Sequence, residues 1–167
     1  MRIGLATPQR AQSGKEGDEP ETSAWERPTV AVAESATGGL VMGRIVRTPD
    51  SGAWFKGGVV AYHTTVKQSL LGVAPGPMVA ERAVREMARG VRDLLDADIG
   101  IATSGVAGPE SVEGQPVGTI YIGWSTTGPS DVLHVKLEGD PDQIREQAVD
   151  LTFRQMKRAR ALFRKQN

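Results

Sequence analysis

The sequence predicts an α/β domain of three layers, with helices on both faces of a mixed, mainly parallel sheet. Short apolar runs rich in Val, Ile and Ala alternate with segments of helical period. A strand pair late in the chain adds antiparallel character, and glycine-rich stretches fall where strands end. With 167 residues and 39% apolar composition, the chain can bury one core and is short for two. One domain over residues 29–167 is therefore expected.

Residues 1–28 have a different texture. From Pro8 to Pro28 the chain is dominated by Gly, Pro, Ser, Gln and mixed charge, with Trp25 its only large apolar group. Such a stretch has too little apolar surface to offset its ordering entropy. It reads as a flexible N-terminal tail in which Trp25 can dock; the competing reading is an edge strand over Arg2-Ile3-Gly4-Leu5-Ala6.

The first strand is Thr29-Val30-Ala31-Val32-Ala33, and Glu34 to Gly39 opens a helix through Leu40, Val41, Ile45 and Val46. Ser35 at this turn is either a helix cap or a hydroxyl placed beside unpaired backbone N–H groups, where an anion or oxyanion is favoured. After the turn formers Thr48 to Gly52, Trp54 and Phe55 read as core or pocket wall, and Val59-Val60-Ala61-Tyr62 as a strand. Thr64 or Thr65 can cap the next helix, which ends at Gly72. Lys67 then lies in its first turn, where the helix dipole disfavours a cation. It is either exposed and tolerated, or held near neutrality to act as a base.

Met78 to Leu95 keeps a four-residue apolar step through Val79, Ala83, Met87 and Val91, the mark of one buried helical face. Ala97 to Thr103 is the next buried strand. It runs into Ser104-Gly105-Val106-Ala107-Gly108-Pro109, which is either a plain turn or a loop whose backbone approaches a ligand closely. After a polar excursion over 110–115, Gly118 to Ser125 alternates, with Ile120, Ile122 and Trp124 on one face. Asp131 to Leu137 forms its hairpin partner, on which His134 reads as a solvated strand residue. Gly139 to Asp142 caps the last helix, with Ile144, Ala148, Leu151, Met156, Ala159 and Phe163 inward and a basic cluster toward its C-terminus.

Several function classes are excluded or weakened by composition. Twenty basic residues balance twenty acidic ones, so no overall field steers the chain to nucleic acid or to a membrane surface. The chain has no cysteine and two histidines, which removes thiolate catalysis and zinc ribbons and leaves a transition-metal site poorly supplied with donors. No apolar run reaches membrane-spanning length, no signal-peptide pattern opens the chain, and GxGxxG, P-loop and GxSxG motifs are absent. A soluble, cytoplasmic protein is expected.

Ala33-Glu34-Ser35-Ala36-Thr37-Gly38-Gly39, Ala53 to Tyr62 (AWFKGGVVAY), Lys67, Ser104 to Pro109 (SGVAGP) and Pro116-Val117-Gly118-Thr119 stand in an order and spacing that resembles the CinA C-terminal domain family. The resemblance runs from Val30 to the last helix. It implies an anticodon-binding-domain-like α/β/α fold and a metal-independent amidohydrolase without cofactor. The implied reaction converts nicotinamide mononucleotide to nicotinate mononucleotide and ammonia in pyridine-nucleotide salvage. The implied ligand is thus a small pyridine nucleotide, with no nucleic-acid or membrane partner, and family members commonly form homo-oligomers. The larger family form carries an upstream domain, for which residues 1–28 leave no room.

On that resemblance Ser35 is the expected nucleophile and Lys67 the base, with Tyr62 relaying a proton or orienting Lys67. Helix N–H groups near Thr37 and Gly38 are expected to hold the oxyanion. Ser104, Gly105, Ala107 and Gly108 are expected to accept the ribose phosphate or frame the pyridine ring. The chain departs from the family pattern at His63-Thr64, where Ser-Asn is usual, at Ser111-Val112, where a glycine pair is usual, and at Ala36, where Cys is frequent. Pro141 replaces a common Arg, which leaves Arg145 as the nearest candidate for a phosphate contact. The family helix before the first strand has no counterpart. A diverged, catalytically silent nucleotide-binding module is the alternative.

Overall fold

The computed structural model describes residues 27–165. The tail, the docking of Trp25 and the alternative strand at Arg2–Ala6 therefore lie outside the described residues, apart from Arg27 and Pro28.

Five strands form one sheet: β1 Val30–Glu34, β2 Phe55–Val60, β3 Ile99–Gly105, β4 Thr119–Ser125 and β5 Ser130–Lys136, in the spatial order β2-β1-β3-β4-β5. β1 pairs parallel with both β2 and β3, while β3–β4 and β4–β5 are antiparallel, so β4 alone runs against the other four. β1 and β4 are buried along their whole length, which follows from helices covering both faces.

One face carries α2 Thr64–Leu71 and α3 Glu81–Leu94; α3 packs Ala83, Val84, Met87, Ala88 and Val91 onto Ala31, Ala33, Ala102 and Tyr121. The other face carries α1 Leu40–Ile45 and α4 Pro141–Arg164, whose Val149, Met156 and Ala159 pack with Val30, Val32, Ile101 and Trp124. Ile144 and Ala148 of α4 cover Ile120 and Ile122 farther along the same face. The three-layer α/β/α architecture expected from the alternation of elements is the one observed.

Several boundaries differ from the expectation. β2 runs from Phe55 to Val60, so it starts four residues before the expected Val59 and takes in the Gly57-Gly58 pair. Lys56 is bulged out at the register shift, and Gly57 takes the positive φ of 118° that such a bulge favours in glycine. A Cβ at Gly58 would lie 2.2 Å from Val32 O, so this strand can pair with β1 only with glycine there. The cap of α2 is His63, whose Nδ1 accepts from Thr65 N, one residue before the expected threonines. α3 begins at Glu81: Met78 and Val79 share its core, which explains the apolar period, yet they precede the helix. β3 extends through Ser104 and Gly105, which had been assigned to the following loop. The expected capping of α4 is present as a full capping box between Asp140 and Gln143.

Candidate active site

The sheet places its functional groups at the carboxyl ends of β1, β2 and β3. The chain leaves β1 toward β2 on one side, and β3 lies on the other, so the crevice between β1 and β3 is the switch point where open α/β sheets bind ligands. A cavity of about 220 Å³ opens there. Ser35, Tyr62, Lys67, Ser104, Gly105, Ala107, Gly108 and Arg145 line it, bringing together eight of the ten expected site residues.

Ser35 follows β1 directly. Its N–H donates to Thr103 O at 3.0 Å, which carries the β1–β3 pairing one residue past the strand and fixes the serine over the crevice. The residue is 8% exposed, and among the described residues its hydroxyl has no hydrogen-bond partner. Ser35 is therefore not the side-chain cap of α1. Gly39 holds the N-cap position, with φ 103°, and offers no side chain.

The capping work falls to Glu34. This carboxylate is fully buried; it accepts from Gly39 N at 2.9 Å, Val41 N at 3.1 Å and Met42 N at 2.8 Å, and from Thr37 Oγ1 at 2.6 Å. Thr103 Oγ1 lies 2.8 Å from Thr37 Oγ1 and extends the chain of hydroxyls into β3. The helix N-terminus next to Ser35 thus already holds an anion, that of the protein itself. This corrects the expectation for Thr37 and Gly38. Thr37 is buried in the Glu34 network, Gly38 N donates to Ser35 O, and neither residue lines the cavity. Next to Ser35 and on the loop after β3, the cavity-lining residues Ala36, Ala107 and Gly108 have backbone N–H groups that lack a partner among the described residues.

Lys67 is 4% exposed, and its Nζ donates to the Tyr62 carbonyl at 3.0 Å. Burial lowers its pKa below the usual lysine value, because the charged form loses more hydration than the neutral one, and the negative charge of Glu113 works against that lowering. The exposed reading of Lys67 is thereby excluded. Tyr62 orients the lysine through its backbone, while its side chain is 74% exposed at the cavity rim.

The remaining lining residues divide into frame and charge. Ser104 Oγ donates to Met78 O at 2.8 Å, so this hydroxyl ties β3 to the loop before α3. A Cβ on Gly105 would lie 2.4 Å from Thr119 O, and the residue takes φ 151°. Arg145 reaches the cavity from α4 and is held by Asp142 at 2.6 Å. Glu110 and Glu113 supply two carboxylates that sequence reasoning placed only in a polar excursion. Outside the cavity, Trp54 is core, with the Arg160 guanidinium 4.6 Å above its ring, and His134 is an exposed strand residue stacked on Tyr121. Among the described residues no group of three or more metal-ligating side chains occurs, and no helix is long and apolar enough to cross a membrane.

Comparison with known proteins gives concordant results. The family model described as "CinA C-terminal domain" matches residues 21–159. A CinA-like protein of Frankia casuarinae is 48% identical over 126 residues, which is 72% of this chain and 29% of that relative. The chain thus spans about a third of the length of the curated relatives it matches. A crystal structure of a competence-damaged protein (CinA) superfamily protein from Escherichia coli superposes with TM-score 0.76 at 28% identity, covering 80% of this chain and 81% of that one. The competence damage-inducible protein A of Klebsiella pneumoniae subsp. pneumoniae gives TM-score 0.76 at 31% identity, covering 80% and 86%.

Proposed function

The chain belongs to the CinA C-terminal domain family, and from that premise we propose that it hydrolyses the amide of nicotinamide mononucleotide to nicotinate mononucleotide and ammonia. The observation that carries this reading is the pairing in one cavity of an unbonded serine hydroxyl at a strand end with a buried lysine whose proton affinity is lowered.

Amide hydrolysis needs a nucleophile, a base that later protonates the departing amine, and donors for the oxyanion. Ser35 Oγ attacks the carboxamide carbon while neutral Lys67 takes its proton. Collapse of the tetrahedral intermediate breaks the C–N bond, and the Lys67 ammonium returns the proton to the leaving ammonia. Water, activated by the again neutral Lys67, then releases the carboxylate and regenerates Ser35. The N–H groups of Ala36, Ala107 and Gly108 are the donors available to the oxyanion, in place of the helix terminus that Glu34 fills. Arg145 is the cation placed to meet the phosphate.

Ammonia release from nicotinamide mononucleotide, with EDTA present, tests the reading. Wild type and Ser104→Ala are expected to release ammonia, and Ser35→Ala is expected to lose about 10³-fold or more, as removal of an activated nucleophile does. Full activity in Ser35→Ala would refute the mechanism.

A second reading, a catalytically silent nucleotide-binding module, is favoured by one observation: Lys67 Nζ is bonded to the Tyr62 carbonyl and not to Ser35. Binding of the nucleotide by calorimetry without any ammonia release would select it.

A further inference from the structure

Val112 and Gln115 close a two-residue turn through reciprocal backbone bonds, Val112 N to Gln115 O at 3.2 Å and Gln115 N to Val112 O at 2.9 Å. Its central residues, Glu113 and Gly114, both take positive φ, 52° and 74°. Turns of that hand favour Asn, Asp or Gly at the first central position. A glutamate there is held against its backbone preference, and such residues gather at sites where a side chain has to be aimed.

The side chain is aimed at the cavity. Glu113 Oε2 accepts from Met78 N at 2.7 Å and Val79 N at 2.9 Å, across 34 and 35 residues of sequence. These bonds fix the loop before α3, the loop that Ser104 also grips at Met78 O. Glu113 and Lys67 line the same cavity, entering it from the β3–β4 loop and from α2. The other charged or titratable groups around Lys67 are Glu110 on the Glu113 loop, Arg145 on α4 and the Tyr62 phenol on the segment before α2. Glu110 makes no ion pair among the described residues, and Arg145 is committed to Asp142.

From this geometry we infer that Glu113 is a positioning residue for the reaction: anchored on Met78 and Val79, it presents a fixed carboxylate that stabilises the ammonium formed when Lys67 takes the Ser35 proton. The inference rests on the amidase reading and deepens it. Its logic is that of an acid behind a catalytic base, here an exposed carboxylate fixed by its two backbone bonds, which favours the protonated base without itself receiving the proton. The electrostatic pull of Glu113 on Lys67, opposed to the effect of burial, has the sign this role requires.

Glu113→Gln separates charge from anchoring, because the amide oxygen can still accept from Met78 N and Val79 N. In that variant the acid limb of kcat/KM moves to lower pH, since Lys67 loses the charge that favours its protonated form. kcat falls about tenfold, a part of the 10²–10⁴ that general acid–base help supplies, while KM stays within about twofold. Glu113→Ala moves the limb in the same way and also frees the loop, seen as faster hydrogen exchange at the Met78 and Val79 amides and a raised KM.

A second readout does not depend on turnover. Competitive acetylation of Lys67 by acetic anhydride across pH, followed by peptide mapping, reports its titration in wild type and Glu113→Gln without substrate. A midpoint that drops in the variant supports the inference. An identical midpoint overturns it, whatever the activity. A dropped midpoint in a protein that releases no ammonia keeps the Glu113–Lys67 coupling and overturns the amidase reading instead.

Discussion

Glu34 provides the sharpest test of how the site is built, because its carboxylate sits immediately before the proposed nucleophile yet faces away from the chemistry. Glu34→Ala leaves four donors without their acceptor: the N–H groups of Gly39, Val41 and Met42 and the hydroxyl of Thr37. Gly39 and Met42 are only half-buried and recover part of the loss from water, and the Thr37 hydroxyl can turn to Thr103 Oγ1, whereas the Val41 N–H is buried and has no other acceptor. At about 1–3 kcal/mol for an orphaned buried donor, Val41 N alone gives a loss of roughly 1–3 kcal/mol, with smaller losses at the other three groups. The emptied volume adds to it, so about 3 kcal/mol is a reasonable centre for a domain whose whole stability is expected near 5–15 kcal/mol.

Glu34→Gln is milder. One amide oxygen can keep the three bonds now made to Oε2, while the amide nitrogen faces Met42 N with no acceptor to offer. A cost of about 1–2 kcal/mol follows from that single loss and from the lost charge at the helix terminus. Urea unfolding followed by circular dichroism measures both variants, with unchanged m-values required for the comparison. A Glu34→Ala protein within about 1 kcal/mol of wild type would refute the reasoning, because the network would then carry little of the turn that holds Ser35.

Two further predictions concern the charged residues of the cavity. Lys67→Met is expected to lose 10²–10⁴-fold in ammonia release, the usual worth of a general base, and to gain roughly 0.5–2 kcal/mol of stability at neutral pH, as removal of a desolvated functional group commonly does. The sign follows from linkage: a folded-state pKa below the unfolded value makes the cation a penalty, complete below the folded pKa and gone above about 10.5. The stability gap between variant and wild type should therefore close as pH rises through that window, and a gap that widens would contradict a lowered Lys67 pKa. Arg145→Ala is expected to raise KM for the mononucleotide about 10- to 100-fold, in line with a lost charged hydrogen bond, and to leave hydrolysis of the phosphate-free riboside unchanged. Equal losses on the two substrates would remove Arg145 from phosphate recognition.

The parts of the fold written in periodicity were legible in the sequence. β4 alternates and α4 keeps its inward stripe over 24 residues, so both were readable from local pattern alone. Edges were harder, since several are set by partners remote in sequence. β2 takes in its glycines because Gly58 lies against Val32 and Met42 and Gly57 sits at the bulge, and α3 starts late because Glu113 binds the N–H groups of Met78 and Val79. Eight of the ten expected site residues meet at one cavity. Thr37 and Gly38 do not, and the reason could have been anticipated: a glutamate ending an otherwise apolar buried strand must find partners, and unpaired helix N–H groups a few residues on are the nearest. Glu113 was less accessible, because Val-Glu-Gly-Gln does not carry the Asn-Gly signal of its turn.

The self-filled helix terminus has a consequence for how this cavity can do chemistry. With Glu34 neutralising the end of α1, the proposed amidase chemistry would leave its oxyanion to isolated backbone N–H groups on the Ser35–Gly38 turn and on the loop after β3. Charge is likewise drawn from separate elements: Lys67 from α2, Arg145 from α4, Glu110 and Glu113 from the β3–β4 loop. Groups of both signs thus line one cavity, which suits, on the amidase reading, a substrate that carries a cationic ring and an anionic phosphate together. Such a site works only while its loops keep register. The bonds from Ser104 to Met78 O and from Met78 N and Val79 N to Glu113 hold that register, so loosening of the loop should appear in KM and in amide exchange at Met78 and Val79.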